Sequence, residues 1–76
     1  MTMKILSEHM SENGNRHATV KLVDDHFVVD FYINNDYYHS IEYLNNSIHY
    51  VEDAAENWVL GVFSENQVKA FDVVRD

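Results

Sequence analysis

The side chains best suited to hold a metal or pass a proton near neutral pH are five histidines, His9, His17, His26, His39 and His49. Metal ligands must converge at set spacings, such as two histidines one helical turn apart or a histidine–cysteine cluster. No such spacing occurs, and the chain has no cysteine. If His26 and His39 lie on adjacent strands, side-chain alternation sends them to opposite faces. The histidines read as separate surface groups, so no metal and no other cofactor is expected. Ser7, Ser11, Ser40, Ser47 and Ser64 each lack a characteristic nucleophile motif, and there is no glycine-rich phosphate loop. The carboxylates of Asp24 and Asp25 fall in a predicted turn, not in a cleft that would drive two pKa values apart. A chain of 76 residues has little room for a pocket of several hundred cubic ångströms. The expectation is a protein without enzymatic activity.

Charge is the stronger signal. Between Lys21 and Lys69 there is no lysine or arginine, while nine acids occur: Asp24, Asp25, Asp30, Asp36, Glu42, Glu52, Asp53, Glu56 and Glu65. A typical surface mixes both signs. A one-sign tract repels phosphates and anionic lipid headgroups and attracts basic surfaces. Direct nucleic-acid binding is disfavoured, because phosphate contacts need clustered lysine and arginine.

Residues 1–76 make a single domain, short enough to bury only about 60% of its unfolded surface. Disulfides are excluded, which leaves good packing or self-association as the source of stability. Trp58, four phenylalanines and five tyrosines supply a large apolar area, so the chain is too hydrophobic to be disordered despite a formal charge of -8. No stretch approaches the roughly 20 apolar residues of a membrane span, and residues 1–10 lack the charged flank and apolar run of a signal peptide. No membrane association and a cytoplasmic location are expected.

The elements that would position these residues follow from periodicity. Asn13-Gly14-Asn15, Asp24-Asp25 and Asn34-Asn35-Asp36 mark turns, with Asn-Gly the strongest hairpin signal. Phe27, Val29, Phe31 and Ile33 alternate along one strand, Ala18, Val20 and Leu22 along another, and Tyr37, His39, Ile41 and Tyr43 along a third. A strand at residues 3–10 is ambiguous, since Met3/Ile5 and Leu6/Met10 point opposite ways. The period then changes: Ile48, Val51, Ala55, Trp58, Val59 and Val62 form one stripe of a helix over residues 48–60, with Ser47 as N-cap and Gly61 as terminator. A competing heptad through Ile41 and Leu44 would start that helix near Ser40. In the tail, Ser64 and Gln67 suit a capping box and a short helix, but Val68, Ala70, Phe71, Val73 and Val74 also suit a terminal strand, and an extended or strand segment packing Phe71 on the core is preferred. The fold class is α+β: an antiparallel meander of three or four strands with one amphipathic helix packed on one face and Trp58 at the centre of the core.

One helix covers one sheet face. The opposite face should display Tyr32, Tyr38, Val28, Asp30 and Glu42, an unusually aromatic set for a solvated sheet. The polar side of the helix should present Glu52, Asp53 and Glu56, with Leu60 an apolar anomaly among them. These nine residues are the candidate partner-binding set. Carboxylates held at fixed spacing on a helix can meet a basic groove or imitate phosphates.

The run from Ser47 to Gly61, with its Ala54-Ala55-Glu56-Asn57-Trp58 centre, resembles a segment of small uncharacterised proteins of marine cyanobacterial phages, in which an aromatic-rich meander also precedes an acidic helix. The resemblance implies expression inside an infected cell and no assigned activity. The functional expectation is a non-enzymatic acidic module that binds a protein through a basic surface, such as a phage factor modulating a host protein. The alternative is a structural homo-oligomer, a minor virion or scaffold component, joined through the exposed sheet face or an edge strand.

Overall fold

A computed structural model describes residues 2–75. In chain order the elements are β1 (Met3–Met10), β2 (Arg16–Val23), β3 (His26–Ile33), β4 (Asp36–Tyr43), α1 (Ile48–Leu60), α2 (Glu65–Lys69) and β5 (Val73–Val74). The five strands form one sheet in sequential order. The first four make an antiparallel meander, and β5 adds to β4 in parallel. The fold is α+β, with four strands in the meander and a short fifth strand, from the tail, added in parallel outside the meander.

Local chemistry explains the joints. Asn34 and Asn35 both take positive φ, 52° and 70°, as a tight turn matched to strand twist requires. Asp24 does the same at φ 56° in the two-residue turn between β2 and β3. Asn13-Gly14-Asn15 lies instead in a longer connection, residues 11–15, where the Asn13 side chain accepts from the Asn15 amide at 3.0 Å. Ser47 caps α1 by accepting from the Tyr50 amide at 3.3 Å, and Gly61 ends it at φ 85°. The helix starts at Ile48, so the heptad start near Ser40 is not used and residues 36–43 remain a strand.

The core lies between the sheet and α1. Val51, Ala55 and Trp58 meet Ala18, Val20, Val29, Phe31 and Ile41, all fully buried. The Trp58 Nε1–H donates to the carbonyls of His17 at 3.1 Å and Tyr32 at 3.3 Å, so the indole enters the core with its polar atom satisfied. Val62 does not belong to the helical stripe: it lies past Gly61 and is 69% exposed.

The tail divides. Ser64 and Gln67 form the capping box and start α2, which buries Val68, whereas Val73 and Val74 pair as β5. Phe71 is 50% exposed and does not pack on the core as expected.

Two bulges correct the simple alternation. In β1 the register slips between Ile5 and Ser7, so Met3, Ile5 and Met10 oppose Val23, Lys21 and His17 on one face. This resolves the contradictory pattern in that strand. In β4 Phe31 pairs with His39 and Tyr32 with Tyr37, which leaves Tyr38 as the extra residue. Tyr38 is therefore not on the outer face. Its ring stacks on Trp58, centroids 5.9 Å apart, and Tyr37 takes the outer position, edge-on to Tyr32 at 6.0 Å.

Candidate functional site

The outer sheet face is internally bonded. Asp30 receives Lys21 Nζ at 2.7 Å and the Ser40 hydroxyl at 2.6 Å, and Ser40 also meets the Tyr37 hydroxyl at 2.8 Å. Glu42 contacts His26 Nε2 at 2.9 Å, while His39 bonds the Phe71 carbonyl region on the other side of the sheet. Tyr32 stacks on His17 at 5.3 Å. Val28 lies on this face but is only 8% exposed, because longer neighbours cover it. Of the five residues expected here, Tyr32, Val28, Asp30 and Glu42 are brought together and Tyr38 is not.

The acidic side of α1 also divides. Glu52 is half-buried against β1, and Glu56 reaches the same strand while staying exposed to water. The Ser7 hydroxyl lies 2.9 Å and 2.7 Å from the two Glu52 carboxylate oxygens, and His9 Nε2 lies 2.6 Å from Glu52 Oε1. The other ring nitrogen, Nδ1, lies 3.2 Å from Glu56 Oε2. Both ring nitrogens can donate only in the imidazolium form. Burial pushes the Glu52 carboxyl up, but the bonds from Ser7 and His9 and the charges of His9 and His49 outweigh it, leaving Glu52 below its ordinary value. Asp53 is exposed and has no ion-pair or hydrogen-bond partner among the described residues. Leu60 is 65% exposed, as its place on the helix requires.

Ser7, His9 and Glu56 have the connectivity of a nucleophile, a base and an orienting acid, with Ser7 Oγ 3.4 Å from His9 Nε2. Glu52 intervenes: it accepts the hydrogen bond of the Ser7 hydroxyl and occupies Nε2, so that nitrogen is not left to activate the hydroxyl. The cluster acts as a strap between β1 and α1. Among the described residues no group of three histidine, cysteine or acidic side chains is placed to hold a metal ion.

Two open grooves flank α1, larger than a chain of this length suggested. One, of about 780 Å³, is lined by His9, Met10, Arg16, Glu56 and Leu60 among others. Its guanidinium points inward: Arg16 Nη1 donates to the carbonyls of Trp58 at 3.1 Å and Phe63 at 3.0 Å. The second, of about 590 Å³, separates α1 from α2 and β5 and is lined by Tyr43, Tyr50, Asp53, Phe63 and Phe71 among others. Burial and the neighbouring Tyr50 phenol push the Tyr43 pKa upward. A third surface is the β1 edge, which pairs with β2 alone and exposes Met3, Ile5, Leu6 and Met10.

Sequence reasoning set Ser7 and His9 aside as isolated groups and did not weigh Arg16, because their partners lie more than 40 residues away and leave no local pattern. No helix among the described residues is long and apolar enough to cross a membrane. Comparison with protein-family models, curated proteins and solved structures returns no match.

Proposed function

We propose that the protein is a non-enzymatic binding module that engages a basic surface on a partner protein. The observation that carries this reading is how little of the negative charge is neutralised internally. Among the described residues only Asp30 and Glu65 pair with lysine or arginine, and the formal charge is -8. The remaining carboxylate contacts, to Glu8, Asp25, Glu42, Glu52, Glu56 and Asp72, come from histidines and cancel charge only where the imidazole is protonated. The anionic field persists around an internally bonded surface and favours encounter with cationic partners. If the cyanophage resemblance of residues 47–61 reflects kinship, that partner is a protein of the infected host.

The test is retention on the immobilised protein. Host proteins with basic surfaces should bind at low salt and elute as salt rises. Retention of nothing, or retention indifferent to salt, overturns the reading.

A second reading, a homo-oligomer, is favoured by the β1 edge. A row of unpaired backbone groups beside exposed Met3, Ile5, Leu6 and Met10 is a template for another strand. β1 itself carries one charge of each sign, Lys4 and Glu8, so the strand adds no net lysine or carboxylate charge to the edge. Sedimentation at micromolar concentration should show a dimer that Ile5→Lys dissociates. A wild-type monomer removes this reading.

A further inference from the structure

We infer that the groove between α1 and the α2–β5 tail is a binding site for an arginine side chain on a basic segment of the partner. This deepens the binding-module reading and rests on it.

Three observations converge on this groove. Its rim is aromatic and open: Tyr50 is 53% exposed and Phe71 is 50% exposed, although both are large and apolar. The Tyr43 and Tyr50 rings meet edge to face with centroids 6.0 Å apart. Asp53 lines the same groove and, unlike its helix neighbours Glu52 and Glu56, is engaged by nothing among the described residues. No cationic side chain lines the groove, so nothing within it offsets that carboxylate. Tyr43 supplies the third observation. It is 3% exposed, yet its hydroxyl takes no hydrogen bond among the described residues, whereas those of Tyr37 and Tyr38 do. The oxygen is not sealed in the core, so it keeps an acceptor position open toward the groove that a ligand's donor can use.

A guanidinium matches this set. It is planar, weakly hydrated and stacks on aromatic faces, and its several N–H donors can reach a carboxylate and a phenol oxygen together. The methylene stem would lie along Ile41, Ala54 and Val74, the apolar floor of the groove. A lysine ammonium offers the charge without the stacking plane. A neutral isostere offers the plane without the charge.

The test is a titration of the full, ¹⁵N-labelled chain with an acetylated, amidated peptide in which glycines flank a single arginine. Lysine and citrulline peptides serve as comparisons. Saturable amide shifts should concentrate at Tyr50, Asp53, Val62 and Phe71, strongest for arginine, weaker for lysine and near absent for citrulline. Asp53→Asn should weaken binding about tenfold, the usual scale of a lost charged hydrogen bond. Tyr43→Phe should weaken it several-fold without lowering the melting temperature. Shifts scattered over acids all around the surface, or an affinity indifferent to both variants, overturn the assignment. Partner retention that is salt-sensitive but unchanged in Asp53→Asn also overturns it while leaving the binding-module reading intact. If the wild-type protein retains no partner, it is that reading that fails.

Discussion

The Arg16 guanidinium lies 4.2 Å from the centroid of the Trp58 ring and donates to the backbone carbonyl of the same tryptophan at 3.1 Å. A residue at the start of β2 thereby closes the last turn of α1, bonds the Phe63 carbonyl beyond it, and covers the largest core side chain. Helix C-termini leave carbonyls without intrahelical partners, and here a strand supplies the donor.

Arg16→Met should keep the apolar stem and lose the cap. Two carbonyls lose a charged donor and the indole loses its cation, so a destabilisation of about 1–3 kcal/mol is expected in urea unfolding. Arg16→Lys should recover only part of this, since an ammonium cannot stack and span both carbonyls.

Trp58→Ala should leave the protein unfolded. The ring is fully enclosed, and removing a large core aromatic costs about 3–5 kcal/mol in a domain of marginal stability. A cooperative melt by circular dichroism near the wild-type temperature would contradict this.

Acid should loosen β1 from α1. Glu52 is held below its ordinary value in the folded state, so its contribution is complete above the unfolded value of about 4.3 and is lost as pH falls through the folded one. Glu52→Gln should lower stability at neutral pH and flatten the acid limb. Parallel stability curves for the two proteins down to pH 3 would exclude the strap.

Alkali should act through Tyr43 in the opposite sense. Its folded pKa is raised, so the neutral phenol stabilises fully below the unfolded value of about 10 and this contribution fades as pH climbs above it. Tyr43→Phe should match or exceed wild-type stability at neutral pH, since its hydroxyl has no partner to lose among the described residues, and should resist alkali better. Unfolding curves at pH 8 and pH 11 check both halves.

What the chain disclosed in advance was local. Alternation in residues 26–33 gave β3, the 3.6-residue stripe with Ser47 and Gly61 gave α1, and Trp58 was legible as the core anchor. The misplacement of Tyr38 has one cause: a bulge depends on how two strands pair, and either strand read alone alternates normally. The tail combines both alternatives, because the capping box specifies α2 locally while β5 exists only by docking beside β4. The partners of the acids, Ser7, His9, Lys21 and His26, come from other elements, so no local pattern announces them.

The enclosed indole is the chain's single tryptophan, so fluorescence from the molecule reports on one place only. Emission should be blue-shifted and shielded from iodide while the sheet and helix stay together, then redden when they part. Occupancy of the tyrosine-lined groove should leave that colour unchanged, so ligand uptake and global opening can be followed as separate optical events in one cuvette.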